Sequence, residues 1–325
     1  MSAVAPVQVP VDAATKSQLA SGRRADTTSI TKRTKKRLTS RGATIAALII
    51  ALLWTIPTFG LFVSSIRPGA LINTTGWWTF FQNPGVTLEN YTRVLESGNS
   101  QINLAGAFIN SLAITIPATI FPLVLASLAA YAFAWIDFRG KNVLFIGVFA
   151  LQVVPLQMAL IPLLSLFSRG LNVGDTHLFD GLNASGGYAQ VWIAHTIFAL
   201  PLAIFLLHNF VSEIPGEVIE AARVDGAGHG QIFFRIILPL TMPAIASFAI
   251  FQFLWVWNDL LVALIFADGA VAPMTKLLAE ISGTRGQDWN LLTAGAFISI
   301  LVPLIVFFAL QRYFVRGLLA GSTKG

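Results

Sequence analysis

The sequence predicts an all-α, polytopic membrane protein of six transmembrane helices with both termini in the cytoplasm. Three observations lead there. Hydrophobic residues make up 55% of the 325 residues and charged ones only 11%, against about 45–50% and about 25% in soluble domains. The charges are clustered, so that residues 44–66, 97–136 and 143–168 carry none. Crossing a hydrocarbon core takes about 20 apolar residues whose backbone groups bond within their own helix, and these runs are long enough. Basic residues, finally, divide unevenly between the two sides of the six-span topology. One side holds sixteen, including the amino-terminal tail, Arg139, Lys141, Arg223, Arg235, Arg312, Arg316 and Lys324. The other has Arg67, Arg93, Arg169, Lys276 and Arg285. The richer side is the cytoplasm.

The spans fall at 43–66, 105–135, 143–166, 189–210, 241–266 and 290–312. Residues 1–42 read as a disordered basic cytoplasmic extension, low in periodicity. Its cluster Lys32, Arg33, Lys35, Lys36, Arg37 and Arg41 suits anionic lipid headgroups better than nucleic acid. The first apolar run exceeds a signal-peptide core of about 7–15 residues and is read as a retained helix. Residues 43–104 comprise the first helix and an outer segment, 105–312 the main transmembrane domain, and 313–325 a cytoplasmic tail. Trp77, Trp78, Trp192 and Trp289 lie near outer boundaries, where indole rings settle. Pro57, Pro117, Pro122, Pro155, Pro162, Pro201 and Pro303 fall within spans, and each removes a backbone donor and kinks its helix.

Between spans four and five, residues 213–243 form a polar, helix-forming island. Pro215 suits the first helical turn, where its missing N–H costs nothing. Glu217 and Glu220 fall near the positive helix end, and Val218, Ala221, Ala222 and Val224 form a stripe of small apolar residues. Asp225-Gly226 stops the helix, since glycine adopts the left-handed turn that ends one. A second amphipathic piece runs from Gln231 to Leu238, with Pro239 and Pro243 marking the start of span five. The product is two short helices joined by a glycine elbow, outside the membrane.

The sequence Glu220-Ala221-Ala222, then Gly226, then Ile236-x-Leu238-Pro239 resembles the loop signature of ABC-importer permeases. An amphipathic loop lying on headgroups would account for Glu-Ala-Ala alone, but not for the rest at this spacing. Other stretches resemble the carbohydrate branch, of the maltose-system MalG type. They are Asn110-Ser111-Leu112, Ala129-Ala130-Tyr131-Ala132-Phe133, Pro155-Leu156-Gln157, Trp257-Asn258-Asp259 and the tail from Gln311, across roughly residues 40–325. The resemblance implies the type I ABC-importer transmembrane fold and a loop that fits a cleft on a separate ATPase. The residues carried over for coupling are Glu220, Ala221, Ala222, Asp225, Gly226, Ile236, Leu238 and Pro239. It also implies a second, non-identical permease subunit and an extracytoplasmic sugar-binding protein as partners.

The chain has no Gly-x-x-x-x-Gly-Lys-Ser/Thr loop to cradle ATP phosphates, so ATP hydrolysis belongs to a partner chain. It has no cysteine and four scattered histidines, which leaves little for a catalytic constellation; no cofactor and no metal is expected. Gln152, Gln157, Asn258 and Asp259 are candidates for a substrate pathway. Asp259 lies inside span five, and a carboxylate in lipid is costly unless paired or wet. It has three readings: structural hydrogen bonds, a cavity role, or a proton relay with His195 or His208. The resulting function is a permease subunit importing a sugar, an oligosaccharide or glycoside, by alternating access. A polyol or glycerol 3-phosphate is the runner-up substrate. The rival class is a proton-coupled secondary transporter using Asp259.

Overall fold

The computed structural model describes residues 41–95, 103–174, 176–182, 187–283 and 288–320. The extension up to residue 40, Arg285, the end of the tail with Lys324, and the side chains of Arg312 and Arg316 lie outside the described residues. The chain divides at Gly60 into two compact units. Most of helix α1 (Arg41–Ser65) belongs to the first. Pro57 sits within α1 without ending it, and the Thr55 hydroxyl donates to the Ala51 carbonyl at 2.7 Å.

The second unit holds the remaining elements. Short helices α2 (Gly69–Ile72) and α3 (Glu89–Leu95) precede the long helix α4 (Leu104–Trp135). Helices α5 (Lys141–Ala150), α6 (Leu156–Arg169) and α7 (Tyr188–Ser212) follow, with strands β1 (Leu171–Val173) and β2 (Thr176–Phe179) paired antiparallel between α6 and α7. Then come α8 (Gly216–Val224), α9 (His229–Ile232), α10 (Leu238–Trp257), α11 (Leu261–Phe266), α12 (Met274–Gly283) and α13 (Trp289–Ala320).

Among the described residues, five helical segments are long and apolar enough to span a bilayer, and counting one bent pair as a single broken span gives a sixth. The helical, polytopic architecture of five to six spans therefore stands, with two corrections to the expected boundaries. Span three is not one helix: the segment 141–153 and α6 meet at 105°. Pro155 is at the break, as the residue before α6, with φ −59° and ψ 131°. A proline cannot donate to the preceding turn, and it holds Val154 extended at ψ 119°. Span five is also displaced. It runs from His229 to Trp257 rather than over 241–266, because the chain leaves the helix at Asn258 and restarts as the separate α11. The prolines at 117, 122, 162, 201 and 303 stay within continuous helices.

The centre of the unit is the α4–α7 pair. Ala118, Ala126 and Ala130 of α4 and Ala194, Ala199 and Ala203 of α7 are all buried. In a bilayer no hydrophobic drive brings helices together, so close backbone approach through small side chains has to. Trp192 Nε1 of α7 donates to the Ala113 carbonyl of α4 at 2.9 Å, and Gln252 Nε2 of α10 donates to the Ala118 carbonyl at 3.1 Å. Trp257 Nε1 then ties α10 to α13 through the Ser299 carbonyl.

Arg67, one of the five basic residues on the side opposite the cytoplasm in the expected topology, is 1% exposed. Its guanidinium donates to the Gly76 carbonyl and the Thr75 and Thr79 hydroxyls at 2.8–3.1 Å, folding the 75–81 turn over itself. Asn90 Nδ2 bonds the Ser65 and Arg67 carbonyls, and Asn290 of α13 donates to Asn90 Oδ1. These bonds fasten α3 to α13.

Candidate functional site

The elbow between α7 and α10 is built on the ends of α4 and α7. Pro215 is the residue before α8 rather than its first turn, and its carbonyl accepts from Val218. Only Glu217 lies in the first turn; Glu220 is one turn further on. The apolar stripe expected along α8 divides in two. Ala222 turns inward with Ile219, into the cluster formed by Tyr131, Phe133, Leu207, Val211, Ile232, Phe233 and Ile237. Val218, Ala221 and Val224 face outward with Glu217, Glu220 and Asp225, and Val224 is 87% exposed. The helix thus shows a partner small apolar groups edged by carboxylates.

Gly226 ends α8 with φ +82°. Its N–H donates to the Arg223 carbonyl at 3.0 Å, and Ala227 N–H donates to the Ala222 carbonyl at 2.9 Å. This six-to-one and five-to-two pair is the Schellman arrangement, with Ala227 and Ala222 both in the same apolar cluster. Gln231 Oε1 accepts from the Gly228 N–H at 3.1 Å and starts the next helix. That helix is not a separate piece. It passes through a π turn, Phe233–Ile237, directly into α10, with the Leu238 N–H bonding the Phe233 carbonyl five residues back. Pro239 has no N–H to give the Arg235 carbonyl, and a wider turn next to it accommodates that loss. Of the Ile-x-Leu-Pro residues, Ile236 and Leu238 are half-buried and Pro239 is exposed. The unassigned Ile237 between them is the buried anchor, at 1% exposure.

Sequence reasoning missed two contacts that fix the elbow to α4 and a third that ties α4 to α7. The Tyr131 hydroxyl lies 2.9 Å from His229 Nδ1, Arg223 Nη2 donates to the Trp135 carbonyl at 3.3 Å, and Trp135 Nε1 donates to the Val211 carbonyl at 3.3 Å. The only sequence-level signal was that Tyr131 sits in the Ala-Ala-Tyr-Ala-Phe stretch.

The four pathway candidates separate. Gln152 lines a cavity of about 590 Å³ bounded by 151–159, α7 and α10, of the size typical for small-molecule sites. Gln157 is exposed on α6 outside that lining, and Asn258 is exposed with its amide bonded to the Leu254 carbonyl at 2.7 Å. Asp259 is not in the cavity either. Its Oδ2 accepts from the Val262 and Ala263 N–H groups at 3.0 and 3.2 Å, capping α11. It stands 3.8 Å from Nε2 of the buried His195. Gln252, which the sequence reading passed over, is in the cavity wall. His208 is half-buried, tilted against Phe145 at 4.4 Å. Among the described residues no cluster of acids and histidines could hold a metal.

Residues 122–319 match the family of binding-protein-dependent transport system inner membrane components. Over 286 residues the chain is 54% identical to an osmoprotective compounds uptake permease of Synechocystis sp., covering 86% of this chain and 91% of that one. Over 244 residues it is 54% identical to an alpha-glucoside transport system permease of Rhizobium meliloti, covering 74% of this chain and 61% of that one. The fold is similar to that of a chain from a bacterial ABC transporter involved in the import of the acidic polysaccharide alginate. That match has a TM-score of 0.62 at 20% identity, over 85% of this chain and 98% of the other.

Proposed function

The chain belongs to the family of binding-protein-dependent transport system inner membrane components, and on that premise we propose that it is one half of the membrane pathway of an ATP-driven sugar importer. Its cargo is an oligosaccharide or glycoside, in keeping with the alpha-glucoside permease it resembles. The partners are a pair of ABC ATPase subunits, a second non-identical permease, an extracytoplasmic binding protein and the surrounding lipid. Both termini face the cytoplasm.

The observation that carries this reading is the two-faced α8 helix. Its outer face, Val218, Ala221 and Val224 with Glu220, suits a cleft on the ATPase. Its inner face, Ile219 and Ala222, is packed on the ends of α4 and α7. A force applied by the closing ATPases reaches α4 through the Tyr131–His229 and Arg223–Trp135 links, and α7 through the apolar cluster and the Trp135–Val211 bond. The carboxyl-terminal side of the elbow continues without a break into α10, so the same movement turns that helix too. Close-packed cores transmit such shifts rather than absorb them.

The test is reconstitution. Purified alone, the chain should hydrolyse no ATP; with its ATPase it should co-purify with a second permease. Proteoliposomes holding the complete assembly and its binding protein should accumulate sugar only with internal or external ATP on the ATPase side. Accumulation that persists without ATP, and dies with an uncoupler, would sink the reading in favour of a proton-coupled carrier.

A further inference from the structure

We propose that this chain itself grips the transported sugar, with one uncharged sugar ring seated against Trp255 in the 590 Å³ cavity and bonded by Gln152 and Gln252. The inference rests on the importer reading above and adds the site and the chemical class of the ligand.

The cavity walls carry four aromatic rings, Phe198, Phe248, Phe251 and Trp255, and two polar side chains, Gln152 and Gln252. Among the described residues, no ionisable side chain lines it. A sugar ring has apolar C–H faces and a rim of hydroxyls that both donate and accept. Aromatic walls with a few placed amides match that distribution, since each amide also both donates and accepts. A sugar acid or phosphate ester would have to leave water with no Arg or Lys to meet it, which is costly.

Two features show that the polar groups are placed rather than incidental. Gln252 is 3% exposed, and its Nε2 is committed to the Ala118 carbonyl. That bond fixes the amide plane and leaves the oxygen to accept a hydroxyl. Trp255 follows three residues later on the same face of α10, and its ring stands edge-to-face on the buried His195 at 5.2 Å and 89°. Its plane is therefore set before any ligand arrives. Gln152 comes from the opposite wall, in the 3-10 turn Leu151–Val153 just before the 105° break of span three. The chain break that interrupted a lipid-length helix is what brings the second polar side chain to the cavity.

The experiment uses the complete transporter in proteoliposomes with binding protein, ATP, and labelled trehalose, sucrose and glycerol 3-phosphate as probes. The wild type should take up at least one disaccharide and no glycerol 3-phosphate. A site that loses its grip should let sugar escape back before the pathway turns inward. Trp255→Leu should therefore lower sugar moved per ATP hydrolysed by at least about tenfold. Trp255→Phe should stay within about threefold of wild type, because a flat ring remains. An unchanged sugar-to-ATP ratio in Trp255→Leu overturns the proposal. So does loss of the second permease from that variant's complex, which would make this face a subunit interface, and so does uptake of glycerol 3-phosphate. Wild-type failure to move either disaccharide with ATP would overturn the sugar-importer reading itself, before any variant is compared.

Discussion

The Tyr131 hydroxyl and His229 Nδ1 lie 2.9 Å apart, joining the end of α4 to the first residue of the helix that becomes α10. The two rings also meet edge-on at 6.0 Å, and Tyr131 packs on Phe233 at 5.6 Å. One side chain thus makes both a polar and an apolar contact with the elbow. Tyr131→Phe keeps the ring and removes only the hydroxyl bond, worth about 1 kcal/mol. We expect the elbow to open locally about two- to tenfold more often, read as faster proteolysis at Arg223 and Arg235 in detergent-solubilised protein. Cleavage at the wild-type rate would show that the apolar cluster alone seats the elbow.

Gly226 separates backbone need from crowding. A Cβ built there meets nothing within 4 Å, yet φ is +82°. Any substitution is therefore judged by its tolerance of the left-handed region alone. Asparagine visits that region readily, and a β-branched residue resists it. We expect Gly226→Asn to keep most uptake and ATPase attachment. Gly226→Val should reach the membrane in normal amount but lose uptake and release the ATPase. Equal behaviour of the two variants would detach the coupling role from this turn.

Much of this was legible in the sequence because its causes are local. Charge-free runs give the spans, and the Asp225-Gly226 stop between two amphipathic pieces gives the elbow. What escaped depends on partners far along the chain. The burial of Arg67 was not legible because its acceptors are neutral groups at 75–79, which no charge pattern marks. Asn258-Asp259 looked like a polar patch inside a helix, since hydropathy continues unbroken to Phe266. The break shows only in the carboxylate that caps α11. Gln252 was overlooked because one glutamine in an apolar run carries no signal until α4 supplies the Ala118 carbonyl.

Asp259 has a role that its charge does not decide. Both capping bonds, from Val262 and Ala263, go to the same atom, Oδ2. Asn offers one carbonyl oxygen and can take both. Asp259→Asn should therefore retain most uptake, with no new sensitivity to an uncoupler when ATP is held constant. Asp259→Ala loses the cap, at a cost of about 1 kcal/mol, and should lower the thermal midpoint of the purified protein. If Asn and Ala behave alike, and wild-type uptake also collapses with the proton gradient, Asp259 is a proton carrier and the capping account fails.

The connection between α11 and α12 is latched by a different carboxylate. Asp268 Oδ1 takes the Lys276 ammonium at 3.0 Å and the Gly269 N–H at 2.9 Å. Lys276, itself largely buried, also donates to the Ala267 carbonyl at 2.8 Å. The ammonium bond is the main reason that the Asp268 carboxyl is held below its usual range, with the Gly269 N–H next. A depressed carboxyl contributes to folding fully above its unfolded pKa of about 3.9 and ceases to contribute as pH falls through the lower folded value. The latch should hold unchanged from pH 8 to pH 5 and weaken only below about pH 4. Hydrogen exchange of the 267–276 amides, corrected for intrinsic rates, should be flat over the upper interval and rise below it. Asp268→Asn should exchange faster at neutral pH and lose the acid-dependent step. A rise already at pH 6 to 5 in the wild type would mean that another group, not Asp268, closes this loop.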